Sequence, residues 1–133
     1  MALIDYESQI YTAVRNAVVG SDSTIKVSGT TNLTPNEFPS VFVEEIDNNT
    51  YTASVTSCTQ PHANLMYEVN IFTNNVSGSK SKAKAILKVV SDTFEEMGFI
   101  RSSVQPFSLD NGTKYRIFAR FTAICDENGQ IAQ

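Results

Sequence analysis

The sequence has one histidine, two widely separated cysteines, no surplus of basic charge and no long apolar run, and each shortage closes off a class of function. His62 sits beside Pro61 in a polar stretch. A lone loop histidine is more often a solvated side chain than a general base, and the nearness of Cys58 in sequence does not make a catalytic triad. Cys58, Cys125 and His62 fall short of the four ligands that a structural zinc site takes. Neither cysteine belongs to a CxxC pair. Nothing in the sequence favours a disulfide between them, so two free thiols are expected.

Lysine and arginine number 10 against 14 acidic residues, for a net charge of −4 and a pI near 4.9. That balance argues against a general nucleic-acid binder, which carries a basic face. No run of ~18 apolar residues is present, so no membrane span is read. Met1-Ala2-Leu3-Ile4-Asp5 has no positive n-region and no long apolar stretch, so no secretory signal is read and a cytoplasmic start is expected. Gly78-Ser79-Lys80 is similar to the end of a phosphate-binding loop, but Thr73 stands where that loop needs its first glycine. Glu44-Glu45 lies on a strand pattern, which sends the two carboxylates to opposite faces, and Glu95-Glu96 lies near a helix end. Neither pair has the makings of an acid/base couple. No catalytic, cofactor-binding or metal-binding residue is assigned, no cofactor is expected, and the chain reads as a non-enzyme.

What is there is enough apolar material for a core. The 133 residues are 41% hydrophobic and 18% charged, which suits one domain over 1–133 rather than a disordered chain. Residues 3–19, within an N-terminal helical segment 1–20, place Leu3, Tyr6, Ile10, Val14, Ala17 and Val18 on one face, and Gly20 is the expected stop. Residues 24–28 alternate as a short edge strand. Residues 29–39 form a long polar loop ending at Pro39, of a length that often signals function. Residues 40–46 and 50–57 read as two strands joined by a turn at Asp47-Asn48-Asn49, a hairpin.

In residues 65–73, Leu65, Tyr67, Val69 and Ile71 point one way, and Met66, Glu68, Asn70 and Phe72 the other. A second helix over 79–97 carries the stripe Ala83, Ile86, Leu87, Val90, Phe94 and Met97, with Gly98 at its C′ position. A long hairpin follows, turning at Asp110-Asn111-Gly112. Its return strand sets Tyr115, Ile117, Ala119, Phe121, Ala123 and Cys125 on one face, and Lys114, Arg116, Phe118, Arg120, Thr122 and Ile124 on the other. Residues 126–133 read as a flexible tail. This order predicts an α+β fold: an antiparallel sheet of about four to six strands with two helices packed on one face.

Two surfaces invite a functional reading. Lys80, Lys82, Lys84 and Lys88 crowd the start of the second helix while Glu95 and Glu96 stand at its end, against the preference of the helix dipole. Either this is a solvated face, or the lysines meet an acidic surface of a neighbouring subunit. The last strand keeps Phe118 and Ile124 among its polar positions near Arg116 and Arg120, and Val104 lies opposite in the hairpin. Either a loop covers them or they mark a contact between protomers.

The strand Tyr67-Glu68-Val69-Asn70-Ile71-Phe72, the Lys/Ala-rich helix ending in Met97-Gly98-Phe99, then Pro106, the turn at 110–112 and the opening Tyr115-Arg116 of an arginine-bearing strand form one succession. Over roughly residues 39–129 it resembles the tail-terminator (tail-completion) proteins of long-tailed bacteriophages and prophages. The resemblance implies a compact α/β unit that assembles as a homo-hexameric ring on the tail tube. Such a ring ends tube polymerisation and joins the head–tail connector or stopper protein. It also implies residence in the virion neck, with DNA only as passing cargo and no membrane partner. An acidic lumen would suit that cargo, because phosphate affinity comes from Lys and Arg. Candidate ring-interface residues are Lys80, Lys82, Lys84, Lys88, Arg116, Phe118 and Arg120, with loop 29–39 and tail 126–133 for inter-ring contacts. Two other readings stand beside it: another neck component, such as a head–tail connector or minor capsid protein, and a small-molecule-binding α/β domain.

Overall fold

The computed structural model describes residues 6–30, 35, 37–50, 62–74, 79–109, 114–126 and 131–132. In chain order the elements are α1 (Glu7–Ser21), β1 (Lys26–Ser28), β2 (Ser40–Thr50), β3 (His62–Thr73), α2 (Ser79–Glu96), β4 (Ile100–Leu109), β5 (Lys114–Asp126) and β6 (Ile131–Ala132). The strands form one mixed six-stranded sheet in the order β1-β2-β3-β5-β4, with β6 paired to β5. The fold is α+β.

All pairings are antiparallel except that of β1 with β2, where Lys26, Val27 and Ser28 lie beside Ser40, Val41 and Phe42 in parallel. This departs from the expected all-antiparallel sheet. It also accounts for the length of the 29–39 segment, since a parallel neighbour requires the chain to return to the same end of the sheet. On the other side of the sheet, α2 links β3 to β4, and β5 then folds back between them.

Antiparallel pairing of β2 with β3 corrects the first expected hairpin. Asp47, Asn48 and Asn49 pair with Met66, Leu65 and Asn64 within the ladder, and a register shift between Glu45 and Asp47 sets Ile46 as a bulge. The Asx-rich stretch is absorbed into β2 because β3 reaches back to His62 and supplies partners for it. Of the strand expected over 50–57, Thr50 ends β2 and the rest lies outside the described residues. The turn expected at 110–112 lies outside them too.

The α1 helix also ends differently. Gly20 is an ordinary helical residue, and the stop comes at Asp22, whose backbone is extended at φ −157°. The Asp22 carboxylate accepts the Thr24 N–H at 2.9 Å and its hydroxyl at 2.6 Å, an Asx turn that competes with another helical turn. By contrast α2 ends as its sequence suggests. Gly98 has φ 92°, its N–H bonds to the Glu95 carbonyl at 3.0 Å, and the Phe99 N–H bonds to the Phe94 carbonyl at 2.9 Å. That double bond with the accompanying Phe94–Phe99 ring contact is a Schellman motif.

Both helices pack on one face of the sheet. Ile10, Val14 and Val18 of α1 and Ala83, Ile86, Val90 and Phe94 of α2 meet Val41, Val43, Leu65, Tyr67, Val69, Ile71 and the buried series Tyr115–Ala123 of β5. At the centre, Phe94 stacks on Phe121 with ring centroids 4.3 Å apart, and Tyr67 and Phe99 close around them. Lys82 pairs with Asp22 and ties the start of α2 to the end of α1. Two residues of the C-terminal tail, Ile131 and Ala132, pair with Cys125 and Ile124.

Candidate functional site: the helix-free sheet face

Among the described residues one face of the sheet carries no helix, and the period of two and the register along β2, β3 and β5 decide which side chains meet there. Across three strands Phe42 lies beside Asn70, and Asn70 beside Phe118. One step along, Ser40, Phe72 and Arg116 form a row, and on the other side Glu44, Glu68 and Arg120 form another. Beta-strand 4 completes these rows with Phe107, Gln105 and Ser103.

A polar ladder runs across this face. Arg116 donates from Nε and Nη2 to the side-chain oxygen of Asn70 at 3.0 and 2.7 Å. The Asn70 amide nitrogen donates to Glu68 Oε1 at 3.1 Å, and Arg120 Nε donates to Glu68 Oε2 at 3.2 Å. Asn70 is fully buried. Its hydrogen-bonding groups are matched, as a buried amide requires. Phe118 lies between the two guanidiniums, their Cζ atoms 5.5 and 5.6 Å from its ring centroid, and Arg116 also lies over Phe72 at 5.7 Å. Arg116 and Arg120 are thus each held by an acceptor on β3 and by the face of Phe118.

The ladder grades into apolar surface. Thr122 and Ile124 of β5 and Met66 of β3 are half-buried on this face, and Ile100, level with Thr122, is 72% exposed. Arginine beside aromatic and aliphatic side chains is the composition of interface centres. At the opposite end Phe38 comes within 5.5 Å of Lys114 Nζ, so this part of the 29–39 loop lies against its own β5.

The structure therefore brings Arg116, Phe118 and Arg120 together, and adds Glu68, Asn70 and Phe72 of β3, whose membership of the same face is legible in the alternation but whose pairing with the arginines is not. Val104 does not belong here: it pairs with the buried Ala119 and stands at the edge of the helix-covered face. The lysines lie on the far side of the molecule. Lys82 is engaged with Asp22, whose carboxyl is held well below the usual range by that ammonium and by Thr24. Lys84 and Lys88 are exposed. Lys80 falls in the first turn of α2. Glu44 and Glu45 diverge as expected: Glu44 is level with Glu68, while Glu45 accepts from the Tyr67 hydroxyl at 3.0 Å and its N–H is taken by Glu7.

Among the described residues, no three His, Cys, Asp or Glu side chains converge as a metal site, and no helix is long and apolar enough to cross a membrane. Cys58 lies outside the described residues, and Cys125 pairs with Ala63 in the ladder.

No family model matches the chain, and no curated protein matches it. Among solved structures it is similar to a chain of a structure described as the virion of native gene transfer agent (GTA) particle, with 18% identity, a TM-score of 0.61, and coverage of 90% of this chain and 93% of that one. At that identity the likeness shows a common fold.

Proposed function

We propose that the chain is a structural protein of a phage-like virion, and that it assembles as a homo-hexameric ring capping the tail tube. The ring ends tail polymerisation and joins the tail to the head–tail connector or stopper protein, and DNA passes through its lumen. The observation that carries this reading is the fold shared with a virion chain over nearly the whole length of both. The order of motifs in the sequence narrows it to the tail terminus. A head–tail connector or minor capsid protein would be equally served by the virion likeness, and the partner recovered separates these.

The helix-free face is the subunit contact in this account. Arg120, anchored by Glu68, and the exposed Ile100 meet a different surface of the next protomer, because a closed ring is built from head-to-tail contacts. Light scattering over a concentration series tests it. The parent protein reaches the mass of a hexamer as concentration rises, and Arg120→Glu and Ile100→Lys shift assembly to higher concentration. Assembly of the parent that both variants leave unaltered contradicts the assigned surface.

A further inference from the structure

The outward stripe of α2 holds Lys84, Ala85, Lys88, Asp92, Glu95 and Glu96, all exposed. Lys84, Lys88, Asp92 and Glu96 have no hydrogen bond or ion pair among the described residues, and Glu95 accepts only from Ser91, at 3.3 Å. Positive charge occupies the N-terminal half and negative charge the C-terminal half. On a lone helix this order is unfavourable twice. It opposes the helix dipole, and it sets like charges four apart, Lys84 with Lys88 and Asp92 with Glu96.

A second α2 running antiparallel relieves both. With a two-fold axis near the level of Val90, Lys88 of one copy stands opposite Asp92 of the other, and Lys84 stands within one residue of the level of Glu95. An isologous contact makes each pair twice. The antiparallel dipoles then oppose one another, and Ala85 leaves room for approach. We propose that α2 is a self-complementary docking surface whose occupant is the α2 of a second copy of this chain. It lies across the molecule from the helix-free face, so it can join two protomers, or two rings back to back, and it does not depend on the ring reading. Exposed ion pairs are individually weak and screened by salt, so the association is weak and salt-sensitive.

Sedimentation equilibrium of the full chain in the Ile100→Lys background separates this contact from any on the sheet face. At low salt the protein self-associates. At about 1 M salt, where the screening length is ~3 Å, it does not. The double variants Lys84→Glu/Lys88→Glu and Asp92→Lys/Glu95→Lys each lose about tenfold or more in self-association, yet associate when mixed, which also shows that both are folded. The quadruple variant combining all four changes restores a self-complementary stripe and self-associates again. A quadruple variant that stays monomeric overturns the proposal. So does an acidic-half double variant that associates like its parent, for the lysines then meet a different acidic surface. A parent that stays monomeric at low salt overturns it as well.

Discussion

The side-chain oxygen of Asn70, on β3, takes both of its hydrogen bonds from one guanidinium, that of Arg116 on β5, at 3.0 and 2.7 Å. Asn70 is fully buried, so the pair is a cross-strand bond with no water to replace it. Arg116→Leu strands that oxygen and costs about 1–3 kcal/mol of stability. Adding Asn70→Leu returns part of the loss, because no buried polar atom is then left without a partner. Urea titration of the two single variants and the double variant measures the coupling.

Gly98 and Gly20, at the end of one helix and inside another, respond in opposite directions. Gly98 has φ 92° at the end of α2, where a side chain is strained, and Gly98→Ala destabilises by about 1 kcal/mol. Gly20 lies inside α1, and a Cβ there meets nothing within 4 Å. Gly20→Ala stabilises by about 0.5–1 kcal/mol through helix propensity and the unfolded chain. Thermal melts of both variants against the parent check the pair.

Phe94 is buried without exposure and stacked on Phe121 at 4.3 Å. Phe94→Ala removes the ring at the meeting point of α2 and the sheet, and costs about 3–5 kcal/mol. Phe94→Leu keeps most of the volume and costs less. Denaturant midpoints at constant slope show the order.

The Asp22 carboxyl is held below its ordinary value of 3.8 by Lys82 first and Thr24 second. A carboxyl whose pKa is lower folded than unfolded stabilises the fold above the ordinary value, and that contribution fades as pH falls toward the depressed one. Asp22→Asn is therefore less stable than the parent at neutral pH, and the two stability curves converge on acidification below the ordinary carboxylate range. Denaturation measured across that range tests it.

Much of the fold was legible because its main signals are periodic and agree with burial. Leu65, Tyr67, Val69 and Ile71 alternate and are all buried, and in the stripe of α2 Ala83, Ile86, Val90 and Phe94 are buried while Leu87 is partly buried. Asp47-Asn48-Asn49 misled because local turn propensity lost to an available strand partner. Three-residue β1 carries no sign of its parallel pairing, which depends on residues of β2 far along the chain. The candidate site was legible to the same depth. Parity alone put Arg116, Phe118 and Arg120 on one face. The acceptors that hold them, Asn70 and Glu68, follow from the register between β3 and β5, which period-two patterning leaves open. The Lys82–Asp22 pair joins two helices and has no local signal at all.

Negative-stain electron microscopy of the purified protein, at concentrations where light scattering shows assembly, tests whether this chain works as a ring. The expected images show closed rings of six subunits around an open lumen, lost in Arg120→Glu and Ile100→Lys. Particles without a lumen would contradict the ring, and rings that both variants leave intact would contradict the contact surface assigned to it.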